Sequence, residues 1–145
     1  MKKAIYLFIF LIMFLLSCAT NDTTSSGRID FYERGMEHFE RGNFEQAIAD
    51  LSQAILQESK NENLYIIRGI AYLYQGNYDR ALIDFTQAIN LNPFNSLGYF
   101  NRSMAYSING DQDKALEDIE KALFLVPNDE NFLQVKKRII ELQSR

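Results

Sequence analysis

The amino-acid sequence predicts an all-α protein in which three helical hairpins stack in a row and one further helix follows. Comparison of the 145 residues with themselves shows one pattern that recurs every 34 residues. Within each unit, the apolar residues follow the spacing of an α-helix and not the alternation of a strand. Residues that stand 34 positions apart form a column of the repeat. Five columns are Ala47, Ala81 and Ala115; Ala54, Ala88 and Ala122; Arg34, Arg68 and Arg102; Asp50, Asp84 and Asp118; and Phe31, Tyr65 and Tyr99.

Each unit contains two helices joined by a short turn. Gly42, Gly76 and Gly110 recur at the same step, each followed by asparagine or aspartate. Glycine can adopt the left-handed conformation that ends a helix, and the polar residue after it can cap the next helix. Because only a two-residue connection remains, the two helices of a unit must be antiparallel neighbours. Pro93 and Pro127 end the second helices of their units.

These signals set the boundaries of the units and predict a helix after the last one. The three repeats occupy residues 28–61, 62–95 and 96–129, and a capping helix occupies residues 130–145. The last helix carries an apolar stripe of Phe132, Val135, Ile139 and Leu142, with charged residues between them. Such a helix can seal the last repeat with one face and meet water with the other.

The chain carries a net negative charge, and its single cysteine limits the disulfides and metal sites that it can form. Lys and Arg number 15 against 19 Asp and Glu, a formal net charge of −4. Without the first 17 residues the chain has 13 cations against 19 acids, or −6. Nucleic acid is therefore not an expected partner, because phosphate binding needs clustered cations. One cysteine rules out an internal disulfide and a four-cysteine zinc site.

The N-terminus has the layout of a secretory signal. Two lysines precede an apolar stretch over residues 4–16, and a small residue, Ser17, precedes Cys18. The stretch is shorter than the roughly 20 apolar residues that a spanning helix needs. A plain N-terminal anchor and an ordinary cleaved signal are the alternatives.

The segment Leu15-Leu16-Ser17-Cys18 resembles the lipobox of bacterial lipoproteins. The resemblance implies that residues 1–17 are a signal peptide and that Cys18 becomes the N-terminus, carrying acyl chains such as palmitate. Residues 18–27 would then be the lipidated cysteine and a flexible tether. The implied location is the bacterial cell envelope, with a lipid anchor to a membrane on its periplasmic or extracellular side.

The repeat is similar to the tetratricopeptide repeat (TPR). The middle unit, YIIRGIAYLYQGNYDRALIDFTQAINLNP, matches the family pattern throughout. The third unit departs from it at Ser103 and Ile119, and the first at His38, Leu51 and Ser59. Terminal repeats are commonly atypical. The resemblance covers residues 28–129 and implies a right-handed superhelix of three helix-turn-helix repeats plus a C-terminal capping helix.

No catalytic site, metal site or cofactor is expected. His38 is the only histidine, and its column otherwise holds Tyr72 and Tyr106, which favours a packing role. Catalytic carboxylates converge on one point, whereas the acids of this chain recur along an array. We expect the arginine column to bridge to acids of the same or of neighbouring units.

The resemblance implies a concave groove lined by the first helix of each repeat. Its residues would be Tyr32, Met36, Phe39, Ile66, Ile70, Leu73, Tyr74, Phe100, Met104 and Ile108, with Ile29 at the start. Family members that hold a C-terminal carboxylate use Lys, Arg and Asn at places that here are Tyr32, Met36, Ile66, Ile67 and Leu97, with only Asn101 polar. An apolar groove suits an amphipathic helix or an apolar extended segment. The alternative is that these side chains fill the groove themselves.

The leading functional hypothesis is a membrane-tethered scaffold that binds an unidentified protein or peptide. One alternative is a carrier or accessory subunit that binds an apolar small ligand or lipid. Another is a homo-oligomeric structural lipoprotein that buries the groove against a second copy.

Overall fold

A computed structural model describes residues 30–144 as seven α-helices, without strands among those residues. The helices are α1 (Phe31–Glu40), α2 (Phe44–Gln57), α3 (Glu62–Tyr74), α4 (Tyr78–Leu91), α5 (Ser96–Ile108), α6 (Gln112–Leu125) and α7 (Glu130–Gln143). The predicted signal peptide, Cys18, the tether and Ile29 lie outside the described residues.

The helices pair as the sequence predicts. The most extensive contacts join α1 to α2, α3 to α4, and α5 to α6, which are the two helices of each predicted repeat. The second helix of each repeat then packs against the first helix of the next, and α6 packs against α7 in the same way. The prediction of an all-α repeat superhelix with a C-terminal helix is confirmed.

The turns inside the repeats follow the glycine signal. Gly42, Gly76 and Gly110 have φ of 75°, 72° and 89°, the left-handed region that favours glycine. The side chains of Asn77 and Asp111 each accept a hydrogen bond from a backbone amide of the following helix. Asn43, at the same place in the first repeat, makes no such bond.

The alanine columns lie where the helices touch. Ala47, Ala81 and Ala115 are all 0% exposed, so no larger side chain fits there without movement of a helix. On α7, Phe132 and Ile139 of the predicted stripe are 4% and 1% exposed. The last helix therefore covers the end of the third repeat, as predicted.

Each repeat packs a small residue of its first helix against a larger one of its second. A Cβ added to Gly69 would lie 2.6 Å from Cε1 of Phe85, which is fully buried. In the third repeat, Ser103 stands in the glycine column and Ile119 in the phenylalanine column, and both are buried. The Ser103 hydroxyl donates to the carbonyl of Ala115 at 2.7 Å, which satisfies its buried polar atom.

Candidate functional site

A row of arginine–aspartate pairs runs along the repeats, one in each. Nε of Arg68 donates to Oδ2 of Asp84 at 2.8 Å and Nη2 donates to Oδ1 at 2.7 Å. Arg102 and Asp118 make the same two bonds at 2.7 and 2.9 Å. Arg34 makes them with Asp50, so each arginine pairs with the acid of its own repeat. The hydrogen bonds that Arg68 and Arg102 donate to these carboxylates raise the pKa of both arginines.

The same arginines also join neighbouring repeats. Nη1 of Arg68 donates to the Ser52 hydroxyl at 2.9 Å, and Nη1 of Arg102 donates to the Thr86 hydroxyl at 3.1 Å. Each of these acceptors lies on the second helix of the preceding repeat. A bidentate pair of this kind holds the guanidinium in one orientation, which suits a structural role.

His38 lies beside the first of these pairs. Its Nε2 is 3.7 Å from Oδ2 of Asp50, and its buried Nδ1 has no hydrogen-bond partner among the described residues. Because Asp50 also accepts from Arg34, the carboxylate is already oriented by the guanidinium. Among residues 30–144, no three His, Cys, Asp or Glu side chains come close enough together to hold a metal ion.

The predicted groove residues differ in how much surface they present. Tyr32, Tyr74 and Ile108 are 43%, 67% and 54% exposed. The half-buried residues of the set are Met36, Phe39, Ile70, Leu73, Phe100 and Met104. Ile66 is only 5% exposed, so its side chain belongs to the interior and adds little to a binding surface.

Two of the predicted groove residues take part in an aromatic cluster with the second helix of the first repeat. The Tyr74 ring stacks on Phe44 with centroids 4.7 Å apart and an interplanar angle of 3°. Phe39 meets both rings edge-on, at 6.1 Å from Tyr74 and 5.6 Å from Phe44. These contacts hold the end of α3 against the start of α2.

A cleft of about 440 Å³ opens between α5 and α7. Its apolar lining is Leu97, Phe100, Met104, Phe132 and Val135, and its polar lining is Asp129, Asn131, Gln134 and Arg138. Phe100 stacks on Phe132 at 4.7 Å and forms part of the cleft wall. Sequence reasoning missed the contribution of α7, although the repeat step places Gln134 and Arg138 in the same columns as Phe100 and Met104.

The positions of a carboxylate clamp hold no cation in this chain. Tyr32, Met36, Ile67 and Leu97 are uncharged. Asn101 is 9% exposed, and its side-chain amide donates to the Leu97 carbonyl at 2.8 Å within the same helix. The one polar side chain of the set is thus occupied by its own helix.

Comparisons with known proteins agree with this geometry. Tetratricopeptide repeat models match residues 63–95 and 85–117. The second TPR domain of human RPAP3, solved with an HSP70 peptide, superposes with a TM-score of 0.73. It is 31% identical over 77% of this chain and 92% of that domain. The chain belongs to the tetratricopeptide repeat family.

Other TPR domains share the fold at lower identity. The first TPR domain of Spaghetti (RPAP3), bound to an HSP90 peptide, has a TM-score of 0.76, 23% identity and coverage of 79% of this chain and 91% of that one. The TPR2B domain of yeast Sti1, in a complex with Hsp70, has a TM-score of 0.73, 19% identity and coverage of 79% and 95%. Curated proteins include no match to the chain.

None of the helices within residues 30–144 has the length and apolar character needed to cross a membrane.

Proposed function

We propose that this TPR protein is a membrane-tethered protein-interaction scaffold of the bacterial cell envelope, and that its concave groove binds an apolar or amphipathic segment. The observation that supports the groove is its exposed apolar surface. Tyr32 on α1 and Leu97 and Ile108 on α5 are each more than two-fifths exposed, and both helices are the first of their repeats. Burying such surface favours association, at roughly 25 cal/mol per Å² before ordering costs are deducted.

Protein binding is also what several structural neighbours do. The RPAP3 and Sti1 domains were solved with HSP90 or Hsp70 partners. The uncharged clamp positions of this chain argue for a different ligand, because an acidic C-terminus gains little from Tyr32, Met36 and Leu97. An apolar segment makes better use of those side chains. The cleft beside α7 adds Arg138 and Gln134, which suit a polar end on such a segment.

A paired substitution in the groove tests this proposal. Leu97→Glu with Met104→Glu places two carboxylates on the cleft wall, and we expect it to weaken capture of the partner at least tenfold. The matched control is Leu56→Glu with Ile83→Glu, because these residues are 77% and 68% exposed on second helices. Capture is measured in cells by photo-crosslinking from a crosslinking amino acid placed at position 108. Circular dichroism checks that both double variants remain folded.

Three outcomes would reject the groove proposal. One is equal capture by the groove variant and the wild type. Another is loss of binding between the purified protein and the captured partner in moderate salt, since apolar burial tolerates screening whereas binding through the acidic surface does not. A third is native mass spectrometry that shows a bound small molecule in place of a protein, which would favour a carrier.

The tether is proposed from the sequence around Cys18. A thiol is the nucleophile that forms a thioether to a diacylglycerol, and more than one acyl chain holds a protein stably on a bilayer. Labelled fatty acid should enter the wild type and not Cys18→Ser, and the variant should leave the membrane fraction. Equal labelling of both proteins would disprove the lipid anchor.

A further inference from the structure

The turn of the third repeat contains a dipeptide that the other two turns lack. Asn109 precedes Gly110, and no other asparagine of the chain is followed by glycine. At the same step of the second repeat Gln75 precedes Gly76, and in the first repeat an arginine precedes the glycine. A backbone amide attacks the side-chain amide of a preceding asparagine most readily when it belongs to glycine, which has no side chain to hinder the approach. The third turn is therefore a candidate for a covalent change at Asn109.

The surroundings of this dipeptide leave room for the reaction. Asn109 and Gly110 are both exposed, so water and hydroxide reach them. A Cβ built on Gly110 would meet no atom within 4 Å. At Gly76, in contrast, such a Cβ would lie 4.0 Å from the hydroxyl of Tyr78. No neighbouring group has to move before a ring can form at the third turn.

The backbone of the closed turn keeps the two reacting groups apart. The ψ of Asn109 is −2°, which directs the Gly110 nitrogen away from the Asn109 side chain. The Gly110 amide donates to the Ser107 carbonyl at 3.2 Å, and the same carbonyl accepts from the Gln112 side chain at 3.0 Å. The Gly76 amide lies nearer to its own acceptor, at 2.9 Å. The bond that must break before attack is thus longer in the third repeat and shares its acceptor, and exposed helix ends open readily.

The second repeat offers almost the same backbone with a longer side chain. Gln75 has φ of −83° and ψ of −2°, and Asn109 has φ of −76° and ψ of −2°. Attack by the following amide closes a five-membered ring from asparagine and a six-membered ring from glutamine. The larger ring closes more slowly, because one more side-chain bond must be fixed. Gln75 is therefore an internal reference for the reactivity of Asn109.

We propose that Asn109 is a site of spontaneous deamidation in the folded protein. When the turn opens, the Gly110 amide loses its proton to hydroxide and its nitrogen attacks Cγ of Asn109. The new N–Cγ bond closes a succinimide ring, and the side-chain nitrogen takes a proton from water and leaves as ammonia. A water molecule then opens the ring at either carbonyl and leaves aspartate or isoaspartate at position 109. Water is the only co-reactant.

Both products weaken the turn between α5 and α6. A carboxylate at position 109 lies at the C-terminal end of α5, where the helix dipole disfavours negative charge. It also lies two residues from Asp111, whose carboxylate is already paired with Lys114 at 2.6 Å. Isoaspartate in addition routes the main chain through Cβ, so the turn gains a carbon atom. The hydrogen bond from the Asp111 amide to the Tyr106 carbonyl, 2.9 Å long, then loses its geometry.

The test follows the full chain in a nonionic detergent during incubation at mildly alkaline pH in water labelled with heavy oxygen. Digestion with trypsin in ordinary water releases residues 103–114 and 69–80 as separate peptides, because each is bounded by Lys or Arg. Mass spectrometry then measures the conversion of amide to labelled acid at Asn109 and at Gln75 in the same sample. We expect conversion at Asn109 to be at least tenfold faster. Electron-transfer fragmentation should identify isoaspartate among the products.

Two variants complete the test, and circular dichroism checks that both are folded. Gln75→Asn places asparagine before glycine in the second turn, and it should react at least tenfold faster than the wild-type Gln75. It should remain slower than Asn109, because the Gly76 amide is held by the shorter bond. Asn109→Gln should keep its urea midpoint during incubation, whereas the wild type should unfold at a lower urea concentration as acid accumulates.

Three results would overturn the proposal. The first is an Asn109 side chain that stays an amide in the folded chain while it converts in urea, since the turn would then not open far enough. The second is equal conversion at Asn109 and Gln75, or a Gln75→Asn variant that reacts no faster than glutamine. The third is a fully converted protein with the urea midpoint of fresh protein, which would show that the turn tolerates the change.

Discussion

The first and second repeats contain the same arginine–aspartate pair in different surroundings. The Arg34 side chain is 41% exposed, whereas Arg68 is 19% exposed. Arg68 also donates to Ser52 of the preceding repeat, and Arg34 has no preceding repeat among the described residues. The sequence column determines which groups pair. The position in the stack determines how far water screens the pair, and hence how much it contributes to stability.

The apolar contacts of the two repeats differ in tightness as well. A Cβ on Gly69 would lie 2.6 Å from the Phe85 ring, while one on Gly35 would lie 3.1 Å from Cγ of Leu51. A contact below 3.0 Å requires the ring to move within a closed core, whereas the Leu51 contact requires a shift of only a few tenths of an ångström. The glycine contact of the middle repeat is therefore tighter than that of the first.

The largest effect should come from removing the aspartate of the middle repeat. Asp84→Ala leaves Arg68 without its partner at a site where the guanidinium is largely covered, and we expect a loss of about 2–4 kcal/mol. Asp50→Ala should cost clearly less, because water can solvate Arg34. Denaturant unfolding of both variants measures the difference. Equal losses would mean that stack position does not matter for the pair.

A smaller effect should come from the glycine of the middle repeat. Gly69→Ser should cost about 1–3 kcal/mol by overpacking against Phe85. Adding Phe85→Ile reproduces the Ser103–Ile119 pair of the third repeat, and the double variant should lose less than the sum of the single losses. Gly35→Ala should stay within about 0.5 kcal/mol of the wild type, since its helix propensity gain offsets a mild contact. Additive losses would show that the two positions are not coupled.

The smallest effect should appear in the pH dependence of stability. The hydrogen bond from Arg34 holds the pKa of Asp50 below its ordinary value. The folded state then binds fewer protons there than the unfolded state. Its stabilising contribution is complete above the unfolded-state pKa of about 4 and is lost as pH falls through the folded-state pKa. Unfolding by urea from pH 7 to pH 3 should show a shallower acid decline of stability for Asp50→Asn than for the wild type, and an equal decline would contradict the prediction.

The fold was predictable from the sequence because the same helix, turn and packing signals recur in three repeats. The glycine turns, the alanine columns and the end of α4 before Pro93 each depend on local backbone or packing rules, and local rules are visible in residue order. The stripe on α7 was visible for the same reason. A helical period with fixed small residues leaves few alternatives for how the hairpins stack.

The surface was less predictable because it depends on how consecutive repeats are rotated. Ile66 was expected to line the groove, but its side chain turns into the interior. The sequence left open whether each arginine pairs within its repeat or with a neighbour. The structure shows that Arg68 does both, with Asp84 and with Ser52. Tyr74 was assigned to the groove from its column alone, and its stacking on Phe44 depends on a neighbouring repeat that the column does not describe.

The polar row has a consequence for how such a protein can change in length. Arg68 bonds to one residue 16 positions before it and to another 16 positions after it, and Arg102 does the same. Both spacings are shorter than the repeat, so a change in length by a whole 34-residue unit preserves the spacing from arginines such as Arg68 and Arg102 to their two partners. An insertion of any other size between an arginine and one of its partners changes that spacing. The arginine row is thus compatible with a change in length by whole repeats and not by fractions of one.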